Sequence, residues 1–170
     1  MSIINQFYSA LSQKADLKEL VTEDVQLHVS HPINDLVGAE PIETKYWNVL
    51  QQAMPDIERK AFIEFDSEYQ GDTWVAATGY FVGTFINPLL DIPASGKGLY
   101  LRFTELVKLN EGKIADYFII LDFLDVMNQV GVNPLRKSLG HDGLIMPPST
   151  MDGLNPVSCL LYTSPSPRDA

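Results

Sequence analysis

At 170 residues the chain has the length of one domain, and a core of that size needs neither a metal nor a disulfide to hold it. Hydrophobic residues make up 45% and charged residues 20%, a folded rather than a disordered composition. Twelve Lys and Arg against 22 Asp and Glu give a net charge of −10, which argues against a nucleic-acid backbone binder and against docking on anionic membranes. The single cysteine, Cys159, excludes an internal disulfide framework and a cysteine-based zinc cluster.

The N-terminus lacks the basic and apolar stretches of a secretory leader, and no apolar run reaches the roughly 20 residues of a membrane span. The expected location is the cytoplasm. Ser2 to Leu11 reads as an amphipathic helix, with Ser2 as N-cap and Ile3, Phe7 and Leu11 at helical spacing. Ala15 to Leu20 reads as a second, short helix. Asp24 to Val29 alternates as a strand, and Asn34, Asp35 and Gly38 read as a loop. Glu40 to Ala53 reads as a helix stopped by Met54-Pro55-Asp56.

Four strands follow: Ile57 to Tyr69, Thr73 to Phe85, Leu99 to Asn110 and Lys113 to Leu121. Gln70-Gly71-Asp72 and Asn110-Glu111-Gly112 read as turns, and Asn87 to Gly98 as a long loop. A short helix, Phe123 to Val130, ends at Gly131. Helices first and an antiparallel meander after them predict an α+β fold. From Pro134 periodicity is lost. Residues 1–133 are therefore expected to form the compact unit, 134–156 an arm or linker, and 157–170 a non-native tail. That tail resembles a read-through peptide found at the ends of unrelated sequences assembled from environmental DNA, which suggests a longer natural chain.

Several stretches, in order, resemble the SnoaL-like polyketide cyclase family of the nuclear transport factor 2-like superfamily. They are Met54-Pro55-Asp56; Gly83-Thr84-Phe85; Ile92 to Lys97; Glu111 to Phe118; and Leu121-Asp122-Phe123 leading to Gln129-Val130-Gly131. Together they span residues 1 to about 134. The resemblance implies a cone: a curved, mostly antiparallel sheet wrapped around N-terminal helices. It also implies pairing through the outer face of that sheet, hence a homodimer or larger assembly. One position departs from the pattern. The family often has His after Gly-Thr, and here Phe85 stands there. The segment Arg136 to Leu154 resembles the linker of longer relatives with two such domains.

Asp122 is the leading catalytic candidate. It lies where strand turns to helix, among Phe118, Ile119, Ile120, Leu121, Phe123 and Leu124. An apolar setting favours the protonated form of a carboxylate and suits it to general acid–base work. The resemblance implies that the matching Asp shuttles a proton in an aldol-type ring closure. The competing reading is that Asp122 caps the helix after it. Glu105 shares the parity of Leu101, Phe103, Val107 and Leu109, so it lines a cavity, pairs with a base, or sits at a sheet edge or subunit interface. His28 and His31 flank a strand end at a spacing that suits no metal pair; they read first as polar strand-end residues, and the functional alternative is that one of them meets a substrate carbonyl.

Tyr46, Trp47, Tyr80 and Phe85 are mostly core residues by default, some of which must line the interior of a cone, where an aromatic ligand would stack; Phe118 is a further candidate for substrate contact. No phosphate loop, nucleophile elbow or metal-spaced cluster is present in the sequence. The leading expectation is a cofactor-free, metal-free enzyme acting on a hydrophobic carbonyl compound as cyclase or isomerase. Beside it stand a non-catalytic ligand-binding or assembly domain and an epoxide hydrolase. The last needs two carboxylates and an Arg around one water, and the second carboxylate on the cavity side has no candidate in the sequence.

Overall fold

The computed structural model describes residues 2–132 together with 134 and 135. Beyond residues 134 and 135, the expected arm and tail therefore lie outside the described residues. Helix α1 spans Ile3–Gln13; the Ser2 hydroxyl accepts from Asn5 N at 3.3 Å, and Ile4, Phe7, Tyr8 and Leu11 form its buried face. Lys14, in the left-handed region at φ 53°, ends it. The expected helix at Ala15 to Leu20 does not form. Ala15 N bonds back to Ala10 O, and Leu17 O takes both Leu20 N and Val21 N, so the segment is a turn that feeds β1.

Strand β1 is Val21–Val29 and β2 is Asp35–Val37, a short edge strand where a loop was expected. Helix α2 is one helical run. It opens with Ala39–Pro41, widens into a π-helical stretch at Ile42–Trp47 and returns to α geometry at Asn48–Ala53. Then come β3 (Glu58–Tyr69), β4 (Asp72–Thr84), β5 (Gly98–Asn110), β6 (Lys113–Leu121) and helix α3 (Phe123–Gln129). Gln70-Gly71 and Glu111-Gly112 are two-residue hairpin turns with positive φ at both positions, which matches the twist of the strands they join.

The sheet runs β2-β1-β6-β5-β4-β3. Four strands form the expected antiparallel meander. β1 joins it parallel, alongside β6, with Leu27 opposite Tyr117. The sheet is curved and open. α1 and α2 lie on its inner face, which carries Val25 and Leu27, Val75 and Phe81, Leu101 and Phe103, Tyr117 and Ile119. Residues of opposite parity point outward.

Two of the motif stretches prove to be joints. Asp56, just after α2, takes Thr84 N and Thr84 Oγ1 on its two oxygens, each at 2.6 Å, and pins the end of β4. These bonds hold its carboxyl below the usual carboxylate range. Gly83 lets the chains approach closely at this crossing: a Cβ there would stand 3.0 Å from both Asp56 Oδ1 and Met54 Cβ, so those side chains would have to shift. Near the same end of the sheet Gln129 accepts from the N–H of Tyr100 at 3.1 Å and donates to its carbonyl at 2.8 Å. It thereby covers the β5 edge left free where β6 stops.

Candidate active site

The interior is aromatic, and one polar cluster sits inside it. Glu105, on the inner face of β5, is fully buried. Tyr117 of β6 donates to its Oε2, and Tyr8 of α1 reaches the same oxygen at 3.3 Å. Tyr8 OH lies 2.7 Å from Tyr117 OH and 2.9 Å from Tyr46 OH of α2. Two phenols, one from a helix and one from a strand, thus meet at one carboxylate, and a third, Tyr46, is bonded to Tyr8 behind them. Burial pushes all three phenol pKa values up, so each is a proton-bearing donor near neutrality.

Arg59 of β3 closes the other side. Its Nε donates to Glu105 Oε1 at 2.9 Å, and Nη2 donates to the same oxygen. Nη2 also reaches Glu64 Oε2 at 2.9 Å, and Nη1 donates to Asn5 Oδ1 at 2.8 Å. The guanidinium lies over the rings of Phe103 and Tyr8, 5.2 and 5.6 Å from their centroids. Burial pushes the Glu105 carboxyl above its usual range; Arg59 and the Tyr117 hydroxyl oppose that shift. Burial acts to lower the Arg59 pKa, but the adjacent Glu105 outweighs it and the net direction is upward.

Asp122 occupies a different setting from the apolar one expected of it. It caps α3, accepting Asp125 N at 3.0 Å. Its other oxygen takes Arg102 Nε at 3.2 Å and Arg102 Nη2. Arg102 is paired in register with Tyr80 and has the parity of the outer face, opposite to that of Phe103 and Glu105. The bond to Asp122 raises the Arg102 pKa. Asp122 is therefore tied to the outer face, while the polar cluster lies inside.

The other expected site residues divide in the same way. Glu105 and Trp47 are interior. The Trp47 ring lies against Tyr8 at 5.3 Å and Phe81 at 6.2 Å. Phe85 is buried just past β4. His28 points outward, stacked on Phe118 at 4.5 Å, with Nδ1 3.0 Å from Asp35 Oδ1; Val25, Leu27 and Val29 take the inward positions of that strand instead. Phe118 is outward and 39% exposed. Tyr80 is outward too, covered by Phe62 and Tyr100. His31 lies in the exposed turn after β1.

Sequence reasoning missed Tyr8, Tyr117, Arg59, Glu64 and Asn5 as site residues, and took Tyr46 for core. A signal was present, since a glutamate on an apolar strand face requires donors, and Tyr8 follows Ile4 by one helical turn on a buried stripe. Among the described residues no group of three or more His, Cys, Asp or Glu is placed to hold a metal, and no helix is long and apolar enough to cross a membrane.

An open curved sheet with helices on its inner face is the nuclear transport factor 2-like architecture, and solved structures of that class superpose on this chain. AclR of Streptomyces galilaeus, a proposed hydroxylase, does so with TM-score 0.60 at 12% identity, over 79% of this chain and 82% of its own. IdmH of Streptomyces antibioticus, a proposed polyketide cyclase, gives 0.58 at 21%, over 76% and 96%. A nuclear transport factor 2-like protein of Burkholderia thailandensis gives 0.56 at 18%, over 76% and 94%. No curated protein matches. The SnoaL-like polyketide cyclase profile matches residues 2–130, and the chain belongs to that family.

Proposed function

We propose that this chain is an acid–base enzyme acting on a neutral, hydrophobic carbonyl compound, by aldol-type ring closure or isomerisation, with the interior cluster as its reaction centre. The observation that carries the reading is the fully buried Glu105 carboxylate, which accepts from the Tyr8 and Tyr117 phenols, with the Tyr46 phenol bonded behind Tyr8. Glu105 takes a proton from a carbon made acidic by an adjacent carbonyl. A phenol of the cluster donates to the carbonyl oxygen as enolate charge builds there. In ring closure the enolate carbon then bonds to a second carbonyl carbon, and the proton goes to the new alkoxide oxygen. In isomerisation it returns to a different carbon. The cluster is sealed from solvent, so a ligand enters by displacing part of its wall. Asp122 has a supporting part in this reading: it holds α3 and Arg102 at the end of β6.

A second reading has its own observation. Glu64 and Glu105 share one guanidinium, Arg59. That supplies the second carboxylate an epoxide hydrolase needs.

The experiment compares Glu105→Gln, Tyr117→Phe and Asp122→Asn on carbonyl and epoxide substrates. The proposal expects Glu105→Gln to lower carbonyl turnover roughly 100-fold or more, with Asp122→Asn within a few-fold of the parent. A large loss in Asp122→Asn alone returns the proton transfer to that residue. Diol formation from epoxides that depends on Glu64 and Glu105 favours the second reading. Ligand binding without any turnover leaves a binding domain.

A further inference from the structure

A sealed interior admits a molecule only if one element of its wall moves. Moving α1 would uncover Ile4, Phe7, Tyr8 and Leu11 and break the hydrogen bonds of Tyr8. The segment between β4 and β5 is held more lightly. At its start Ile86 N and Asn87 N donate to Ala53 O at the end of α2, and Asn87 Nδ2 donates to Gln52 O. At its end Phe85 N donates to Lys97 O, and Gly96 N donates to Phe85 O. Between these anchors, residues 88–95 make no backbone hydrogen bond to the rest of the described residues. They bond only to one another, as a small hairpin: Leu89 N donates to Ile92 O at 3.0 Å and Ile92 N to Leu89 O at 2.8 Å. Leu89 and Ile92 are buried in the same apolar cluster as Trp47, Phe81 and Phe85, so apolar side chains alone hold the hairpin down.

The turn of this hairpin is strained. Leu90 and Asp91 stand in the left-handed region at φ 48° and 69°. The turns at Gln70-Gly71 and Glu111-Gly112 put glycine at the second position, where it relieves that conformation; Leu90-Asp91 has no glycine. Packing of Leu89 and Ile92 therefore holds a backbone that would relax once released. We propose that residues 88–95 are the lid of the interior. The hairpin lifts between its anchors at Asn87 and Gly96, Leu89 and Ile92 leave the core, and the Leu90-Asp91 turn relaxes as they do. The inference rests on the reading of the interior as a ligand site for its purpose only, since the opening itself is measurable without a ligand.

Amide hydrogen exchange of the full chain, read residue by residue, tests it. The Leu89 and Ile92 amides should exchange at least tenfold faster than the Phe103 amide in the middle of β5, at rates that low denaturant leaves unchanged. Asp91 is exposed, so a change there alters backbone strain without removing packing. Asp91→Val should speed exchange at Leu89 and Ile92 roughly tenfold, and Asp91→Gly should slow it. A second readout follows entry into the interior. The chain has two tryptophans, so in Trp74→Phe the buried Trp47 reports alone. Acrylamide should quench it more strongly when Asp91→Val is added and less when Asp91→Gly is added. Hairpin amides that exchange only with global unfolding, at the rate of Phe103, overturn the lid. Exchange that responds to Asp91 while Trp47 quenching does not overturns it too, because the opening then fails to reach the interior. No substrate enters either measurement, so a failed lid leaves the Glu105→Gln turnover experiment standing, and a failed turnover experiment leaves the opening as measured.

Discussion

Arg59 makes a carboxylate tolerable inside an aromatic interior, and its effect is open to test without any substrate. Glu105 faces Tyr8 of α1, Tyr46 of α2, Arg59 with Glu64 behind it on β3, and Tyr117 of β6. Because burial raises its pKa, the folded state holds the Glu105 proton at pH values where the unfolded chain has released it. The stability from this group is complete below the unfolded value, about 4.3. It is lost as pH rises through the folded value. Removing Arg59 takes away the main opposing influence, so the folded value rises further and the loss extends to higher pH. Arg59→Met should therefore cost about 3–5 kcal/mol near pH 8, where it strands a buried charge, and clearly less near pH 5, where Glu105 takes up a proton. Denaturant unfolding of parent and variant across that range measures the gap. A gap that stays constant with pH rejects the argument. Adding Glu105→Gln should flatten it.

At the scale of elements, the strands were legible because alternation survives burial on one face, and β6 has the bounds its pattern predicted. Glu105 was legible for the same reason, as a charge at an inward parity. The polar cluster was not, because it joins residues far apart in sequence: Tyr8, Tyr46, Arg59, Glu105 and Tyr117 meet only once the sheet has closed over the helices. The parallel β1–β6 pairing escaped notice because no local signal specifies which strand a distant segment joins. The π-helical stretch keeps helical periodicity closely enough to pass for α-helix. The apolar surroundings of Asp122 in sequence misled for a related reason. Its partner Arg102 lies on the neighbouring strand, bonded through Asp122 N to Arg102 O at 3.0 Å. Another feature hidden in the sequence is the irregularity where β3 slips register between Ala61 and Ile63 opposite β4. Gly79 faces it, and a Cβ there would meet the Lys60 carbonyl oxygen at 2.0 Å. Backbone on both sides leaves no side chain to yield. Gly79→Ala should therefore destabilise the protein by about 3 kcal/mol, measured as a lower denaturant midpoint at an unchanged slope. A shift under about 0.5 kcal/mol would show that β3 relaxes freely at this point.

For the whole molecule, the outer face of the sheet poses the remaining physical problem. The register places Phe65, Ala76, Leu106, Phe118 and His28 in one row across five strands. Ile120 lies beside that row and is 67% exposed, with Leu106 at 46% and Phe65 and Phe118 both at 39%. No helix of the described residues covers them, since α1 and α2 occupy the inner face. A chain of net charge −10 that carries an uncharged band of this kind has a surface suited to association rather than to solvent. Along the strand direction the ion pair of Lys108 with Asp72 lies on one side of the row and that of Arg102 with Asp122 on the other, so the band is flanked by charge on both sides. A sheet face with that layout can pair with its own copy about a two-fold axis, so a second copy is its expected occupant. Leu106→Lys places a charge at the centre of the band, where pairing would bury it without a partner. In a monomer the same change is nearly neutral, because the side chain already faces water. Sedimentation at micromolar concentration should therefore find the parent as a dimer or larger and Leu106→Lys shifted to monomer by at least tenfold in dissociation constant, with its melting curve still cooperative. A parent that sediments as a monomer refutes the pairing, and a Leu106→Lys variant that stays dimeric places the contact on another face.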